Sequence, residues 1–195
     1  MIKDFWEWFV LNQLSLRTIL DGEYDLIDSI LNELKKVKSG LAVEFEKCNE
    51  VIVMTISADG VVDNFEIVKM IVQSAPLIKN WKFIAFRQPI DRDKVYKISV
   101  TVKNIEIKPK DFYFIPVIED EKLYVLMFSE KITNENQNDI SYGCLLLLDN
   151  LIGEYDCVTK VDGYEFYNLS DSEYDDQLAR PLIEIRDYID NYYSL

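Results

Sequence analysis

Apolar positions recur along the chain at two different periods, and the switches between them mark out its elements. Residues 4–20 are apolar on most faces, which predicts a helix that is buried broadly or docked against something else. Phe5, Trp6, Trp8 and Phe9 cannot all face one core from a single helix. Burial between a helix pair and a sheet accounts for most of them, and one is left as a candidate contact with another chain. Residues 24–38 predict an amphipathic helix, with Ile27, Ile30, Leu31, Leu34 and Val37 on one stripe, Lys35, Lys36 and Lys38 in the last turn and Gly40 as a stop.

The period then becomes two. Leu41, Val43 and Phe45 alternate with Ala42, Glu44 and Glu46, and residues 51–56 form a β-branched run suited to a central strand, so the two should pair antiparallel through a turn around residues 48–50. A helix is expected from Asp63, with Glu66 as the far partner of a capping box and Pro76 as its end. Strands follow at residues 82–86, at Ile98, Val100 and Val102, at 112–118 and at 123–128; Pro116 marks an edge or a bulge, and residues 119–122 close a hairpin. A helix over about 138–151 ends at Gly153, one or two short strands lie within 156–166, and a last helix starts at Pro181. The order ααββαβββαβα predicts an α+β fold: a mostly antiparallel sheet of about five to seven strands, with an N-terminal helix pair and helices packed on the sheet. The chain reads as a single α+β domain over 1–195, helical over 1–38 and sheet-containing over 40–195. Gly22-Glu23-Tyr24-Asp25 recurs as Gly153-Glu154-Tyr155-Asp156, but the first leads into a predicted helix and the second into a predicted strand, so the recurrence reads as coincidence.

Charge changes the picture at one end. The chain carries 35 acidic and 21 basic residues, a net charge of −14, and residues 149–195 alone hold 12 acidic against 3 basic. Such a surface repels nucleic acid and anionic membranes and suits a basic protein. Three cysteines without C-x-x-C spacing signal neither a disulfide framework nor a thiolate zinc site, which fits a reducing cytoplasm. Asp4 and Glu7 interrupt the stretch that a signal peptide would need, and the apolar run at 144–148 stops at Asp149, far short of a membrane span.

Candidate chemistry is narrowed by what the chain lacks. It has no histidine, so triad hydrolases, histidine-ligated metals and histidine proton relays each lose a required member. Its six glycines lie at least ten residues apart, too far for a phosphate-cradling loop. No cofactor, metal or nucleotide is therefore expected. Asp59-Gly60 with Asp63, Asn64 and Glu66 reads as a turn and helix cap rather than a calcium loop, and Cys144 and Cys157 read as small hydrophobes, Cys157 within a strand. Residues 161–179 contain no Lys or Arg, yet they interleave Asp162, Glu165, Asp171, Glu173, Asp175 and Asp176 with Tyr164, Phe166, Tyr167 and Tyr174. Acidic groups steer a basic partner and tyrosines anchor it, so Asp162, Tyr164, Glu165, Asp171, Glu173, Tyr174, Asp175 and Asp176 form the candidate protein-binding surface. A solvated loop with its tyrosines folded back on the core is the other reading.

The Phe5-Trp6-Glu7-Trp8-Phe9 opening, Ile56-Ser57-Ala58-Asp59-Gly60, Ala75-Pro76 followed by residues 81–87, and Leu148-Asp149 with Gly153-Glu154 resemble a family of uncharacterised bacterial proteins over residues 4–158. The resemblance implies a bacterial, cytosolic α+β protein and transfers no catalytic residue. In general character such small acidic proteins are similar to immunity proteins, which neutralise basic toxin domains. The favoured expectation is a non-enzymatic module that binds a basic protein through its acidic C-terminal quarter. The alternative is a carboxylate-dependent hydrolase whose Asp/Glu pair is assembled from distant parts of the chain.

Overall fold

A computed structural model describes residues 1–171 and 173–194, and shows a mixed α and β chain that divides into two compact units, Met1–Arg87 and Gln88–Leu195. In the first unit, α1 (Ile2–Asn12) is followed by a 3-10 turn at Leu16–Asp21 and by α2 (Tyr24–Val37). The helix expected over 4–20 is thus two pieces. Asn12 donates its side-chain amide to the Trp8 carbonyl, Ser15 donates to that of Asn12 and Thr18 to that of Ser15, and such bonds offer the backbone an alternative to the helical ladder. In α2 the expected stripe faces inward at Ile30 and Leu34, with Lys35 and Lys36 in the last turn.

Strands β1 (Ala42–Cys48) and β2 (Val51–Ser57) pair antiparallel through Asn49 and Glu50, where Asn49 takes a φ of 55°. After α3 (Phe65–Gln73) the chain returns as β3 (Trp81–Ala85), parallel to β2, because an intervening helix carries it back to the end of the sheet at which β2 begins. Ile52, Met54 and Ile56 are buried and lie in register with Trp81, Phe83 and Ala85. The expected capping box does not form. Val62–Asn64 is a 3-10 turn with no side-chain cap, Asn64 is buried and donates to the carbonyls of Ser39 and Gly40, and Glu66 pairs with Lys69.

The second unit contains the short hairpin β4 (Val100–Val102) and β5 (Ile105–Ile107), then β6 (Tyr113–Glu119) and β7 (Lys122–Phe128). Helices α4 (Gln137–Ile152) and α5 (Glu154–Thr159) lead to β8 (Gly163–Tyr167), the two-residue β9 (Arg180–Pro181) and α6 (Ile185–Tyr192). The sheet order is β8-β7-β6-β9, and β9 reaches only Tyr113 and Phe114 of β6. Pro116 therefore lies where β6 is an edge, which suits a residue that has no N–H to donate. The core gathers Phe112, Phe114, Leu123, Val125 and Met127 against Ile140, Leu147, Leu148 and Leu151 of α4. A side chain at Gly143 would collide with Ile107 and would stand 2.9 Å from Val102, so glycine is what lets the β4-β5 hairpin lie against α4.

Two expectations change here. The strands form three sheets of three, two and four strands rather than one sheet, and β2-β3 and β7-β8 are parallel pairs. Residues 156–159, part of the stretch expected as strand, belong to the helix α5, so Cys157 is helical. Both Gly-Glu-Tyr-Asp segments consequently precede helices: Gly22 and Gly153 take φ of 98° and 87°, and acidic residues occupy the first turn that follows. Their recurrence reflects the chemistry of a helix link. Among the described residues no helix is long and apolar enough to cross a membrane.

Candidate interaction surface

The acidic stretch begins at the edge of the four-stranded sheet, where β8 has β7 on one side. Strand alternation sends Tyr164 and Phe166 onto the core and Glu165 and Tyr167 to the opposite face. Tyr164 donates its hydroxyl to the Cys157 carbonyl at 3.0 Å, and burial, followed by the Cys157 thiol, holds its phenol well above the usual value. It is placed as a packing residue. Asp162 is exposed, but its carboxylate accepts the Leu123 N–H at 2.9 Å while its own N–H reaches the Leu123 carbonyl at 2.7 Å, which clamps the entrance of β8 to β7. Two of the eight predicted site residues thus serve the fold.

Of the other six, Glu165, Asp171, Glu173 and Asp176 gather around Tyr167 and Tyr174. Tyr167 donates to the Glu165 carboxylate, and that bond pushes its phenol up to about 12. The Tyr174 ring stands 6.3 Å from Tyr113 and 5.3 Å from Phe128, whose other neighbour is Tyr167 at 5.5 Å. Tyr174 is therefore a half-buried anchor set in an aromatic row, and its phenol is raised first by desolvation and then by a hydrogen bond to Asp176. Asp171 accepts the Glu173 N–H at 3.2 Å and Asp175 the Gln177 N–H at 2.8 Å, so each shapes a turn with one oxygen and keeps its charge exposed. Among the described residues no lysine or arginine pairs with Asp162, Glu165, Asp171, Glu173, Asp175 or Asp176.

Beside these carboxylates lies a polar recess of about 380 Å³ that the sequence did not announce, lined by Thr133, Asn134, Gln137, Tyr167, Asn168 and Asp171. Gln137 donates to the Phe166 carbonyl at 3.0 Å and Asn168 to that of Ile132 at 2.7 Å, so the walls are braced from separate parts of the chain. Two asparagines in a loop and a glutamine at a helix start carry no distinguishing pattern, and their convergence is a product of folding. The recess could receive an ammonium or guanidinium group with a carboxylate at its rim.

Other candidates disperse. Phe5, Trp6 and Phe9 are buried, and Trp8 is half-buried. Asp59 pairs with Arg87, which also holds Glu44, while Asn64 and Glu66 turn elsewhere. Among the described residues no three metal-ligating side chains converge. Burial raises the Cys144 and Cys157 thiols, with the Asp149 carboxylate adding to the rise at Cys157, whereas an activated thiolate needs the opposite. Asp4, Asp91 and Glu106 are held low by the N-terminal ammonium, Lys94 and Lys108 respectively, again opposite to the raised carboxyl of a general acid. No family model, no curated protein and no solved structure matches the chain.

Proposed function

We propose that this chain is a non-enzymatic protein-binding module that engages a basic protein through the face carrying Glu165, Asp171, Glu173, Tyr174, Asp175 and Asp176, in general character like an immunity protein. The observation that carries this reading is the set of exposed carboxylates, none paired with a lysine or arginine among the described residues, around a ring-packed tyrosine and beside a polar recess. The carboxylates would steer a basic partner and set its association rate, the recess would take one of its lysine or arginine side chains, and Tyr174 would govern dissociation. The face is carried on β8, the edge strand that pairs with β7 in the four-stranded sheet. All three cysteines are free thiols, which suits work in the reducing cytoplasm.

Native pull-down with mass spectrometry, followed by binding kinetics on the captured protein, tests the reading. Asp171→Asn and Asp175→Asn keep the turn-forming oxygen and remove the charge; combined with Glu173→Lys they should slow association about tenfold at low salt and leave the melting temperature almost unchanged. Tyr174→Ala should act on dissociation instead. A partner that binds the triple variant with unaltered rate and salt dependence would sink the assignment.

A further inference from the structure

Trp81 opens β3 at 8% exposure, its ring 4.9 Å from Phe9 and 6.1 Å from Phe83. Its indole N–H has no acceptor among the described residues, whereas the neighbouring Trp6 donates its own to the Ile71 carbonyl at 2.9 Å. Buried donors without acceptors are rare, because the lost hydration is not replaced. Trp81 also lines a hollow of about 420 Å³ with Val72, Ile78, Phe83, Lys79 and Lys82. Both lysines are exposed, and neither is paired among the described residues.

Pro76 forms a wall of this hollow and also of an apolar groove of about 760 Å³ lined by Ile2, Trp6, Val10 and Leu11. Leu11 is 85% exposed and Val10 40%, an unusual cost in water for two residues on one helix. A trough with apolar walls thus adjoins a hollow bordered by two lysines and by a tryptophan whose buried N–H is unsatisfied. That combination matches a molecule with an apolar chain and an anionic head. The first unit has 13 acidic against 10 basic residues, so an anion meets far less repulsion there than on the second, with 22 against 11.

We propose that the first unit binds a single-chain amphiphilic carboxylate of the fatty-acid class. The carboxylate pairs with Lys79 and Lys82 and accepts the Trp81 indole N–H, and the alkyl chain lies in the groove against Trp6, Val10 and Leu11. The indole nitrogen is closed to solvent, so the head group reaches it by displacing part of the hollow's wall. Leu77 in that wall is 105% exposed and has no packing to lose.

Titration of the full chain with dodecanoate below its micelle concentration, followed by calorimetry and tryptophan fluorescence, tests this. Saturable one-to-one binding is expected, with dodecan-1-ol at least about tenfold weaker and acetate undetected, since a charged hydrogen-bonded head is worth about that factor. Lys79→Ala with Lys82→Ala should weaken dodecanoate about tenfold and leave dodecanol unchanged. Trp81→Phe, which keeps a ring and removes the N–H, should weaken it by about threefold to tenfold. The triple variant of the acidic face should bind dodecanoate normally, which separates this site from the proposed protein surface. Absence of saturable binding overturns the proposal. So do equal affinities for dodecanoate and dodecanol with no effect of the lysine pair, and sedimentation showing that a second copy of the chain occupies the groove.

Discussion

The two units follow one chain path with different fillings. In each, two seven-residue strands joined by a two-residue turn are followed by helix and by a five-residue strand parallel to the second: β1, β2 and β3 in one, β6, β7 and β8 in the other. In each, a buried serine bends the exit from the second strand, Ser57 accepting the Asp59 N–H at 2.8 Å and Ser129 the Lys131 N–H at 3.2 Å. The first unit adds a ring cluster to its aliphatic core, with Trp6, Phe9, Trp81 and Phe83 in contact at 4.6–6.1 Å. The second is filled mainly by aliphatic side chains from its strands, α4 and α6, with Gly143 admitting a hairpin. The path thus depends on strand period and turn chemistry, whereas binding features depend on the filling.

The largest expected effect tests the two fillings. Phe9→Ala removes a fully buried ring that touches Phe5, Trp6, Trp81 and Phe83, and should cost about 3–5 kcal/mol in urea unfolding, against about 2–5 kcal/mol for Leu147→Ala. A loss below about 1 kcal/mol at Phe9 would show that the ring cluster does not hold the first unit.

Next comes the close approach that has no counterpart in the first unit. Gly143→Val should cost about 1–3 kcal/mol by overpacking against Ile107 and Val102, and adding Ile107→Ala should return part of that loss in a double-mutant cycle. Purely additive losses would mean that the hairpin is not held against α4.

The two hairpin turns differ more subtly. Asp120 and Glu121 take φ of 49° and 65°, a left-handed pair that glutamate tolerates poorly, while in the other turn the strained position falls to Asn49. Glu121→Gly should therefore stabilise by about 0.5–1 kcal/mol, and Asn49→Gly by a few tenths at most, both read as shifts of the urea midpoint. Equal shifts would remove the distinction between the turns.

The smallest effect is a titration on the acidic unit. The Tyr167 phenol, held up to about 12 by its bond to Glu165, should titrate nearer its ordinary value in Glu165→Gln, as followed by phenolate absorbance. Because its folded value is raised above the unfolded one near 10, the bond contributes stability fully below pH ~10 and loses it as pH rises towards about 12. Wild type and variant should therefore converge in stability at the alkaline end, and a constant difference across that window would show that the bond is not made.

Much of this path was legible along the chain. The alternation at 41–46, the β-branched run at 51–56 and the stripe of α2 place three elements within a residue or two, because each pattern repeats within the element itself. The helix at 154–159 was not legible. Val158 and Thr159 favour strand, and the burial of Glu154 and Cys157 in the folded unit outweighs that preference. At the candidate surface the sequence located the acidic excess, but it could not tell that Asp162 clamps Leu123, that Tyr164 packs inward, or that Asp171 borders a recess.

What the sequence determined by itself is therefore local or compositional: hairpins, the amphipathic helix, the loss of histidine chemistry, and the concentration of carboxylates near one end. What the tertiary structure decided is every choice of partner: among the described residues, three sheets rather than one, which carboxylates are committed to the backbone, and which of Trp6 and Trp81 lacks an acceptor. The reason is the range over which each choice is made. A strand or helix period repeats within a few residues, whereas the acceptor for Trp6 lies 65 positions away at Ile71 and the donor to Asp162 lies 39 positions away at Leu123, separations that a pattern along the chain does not encode.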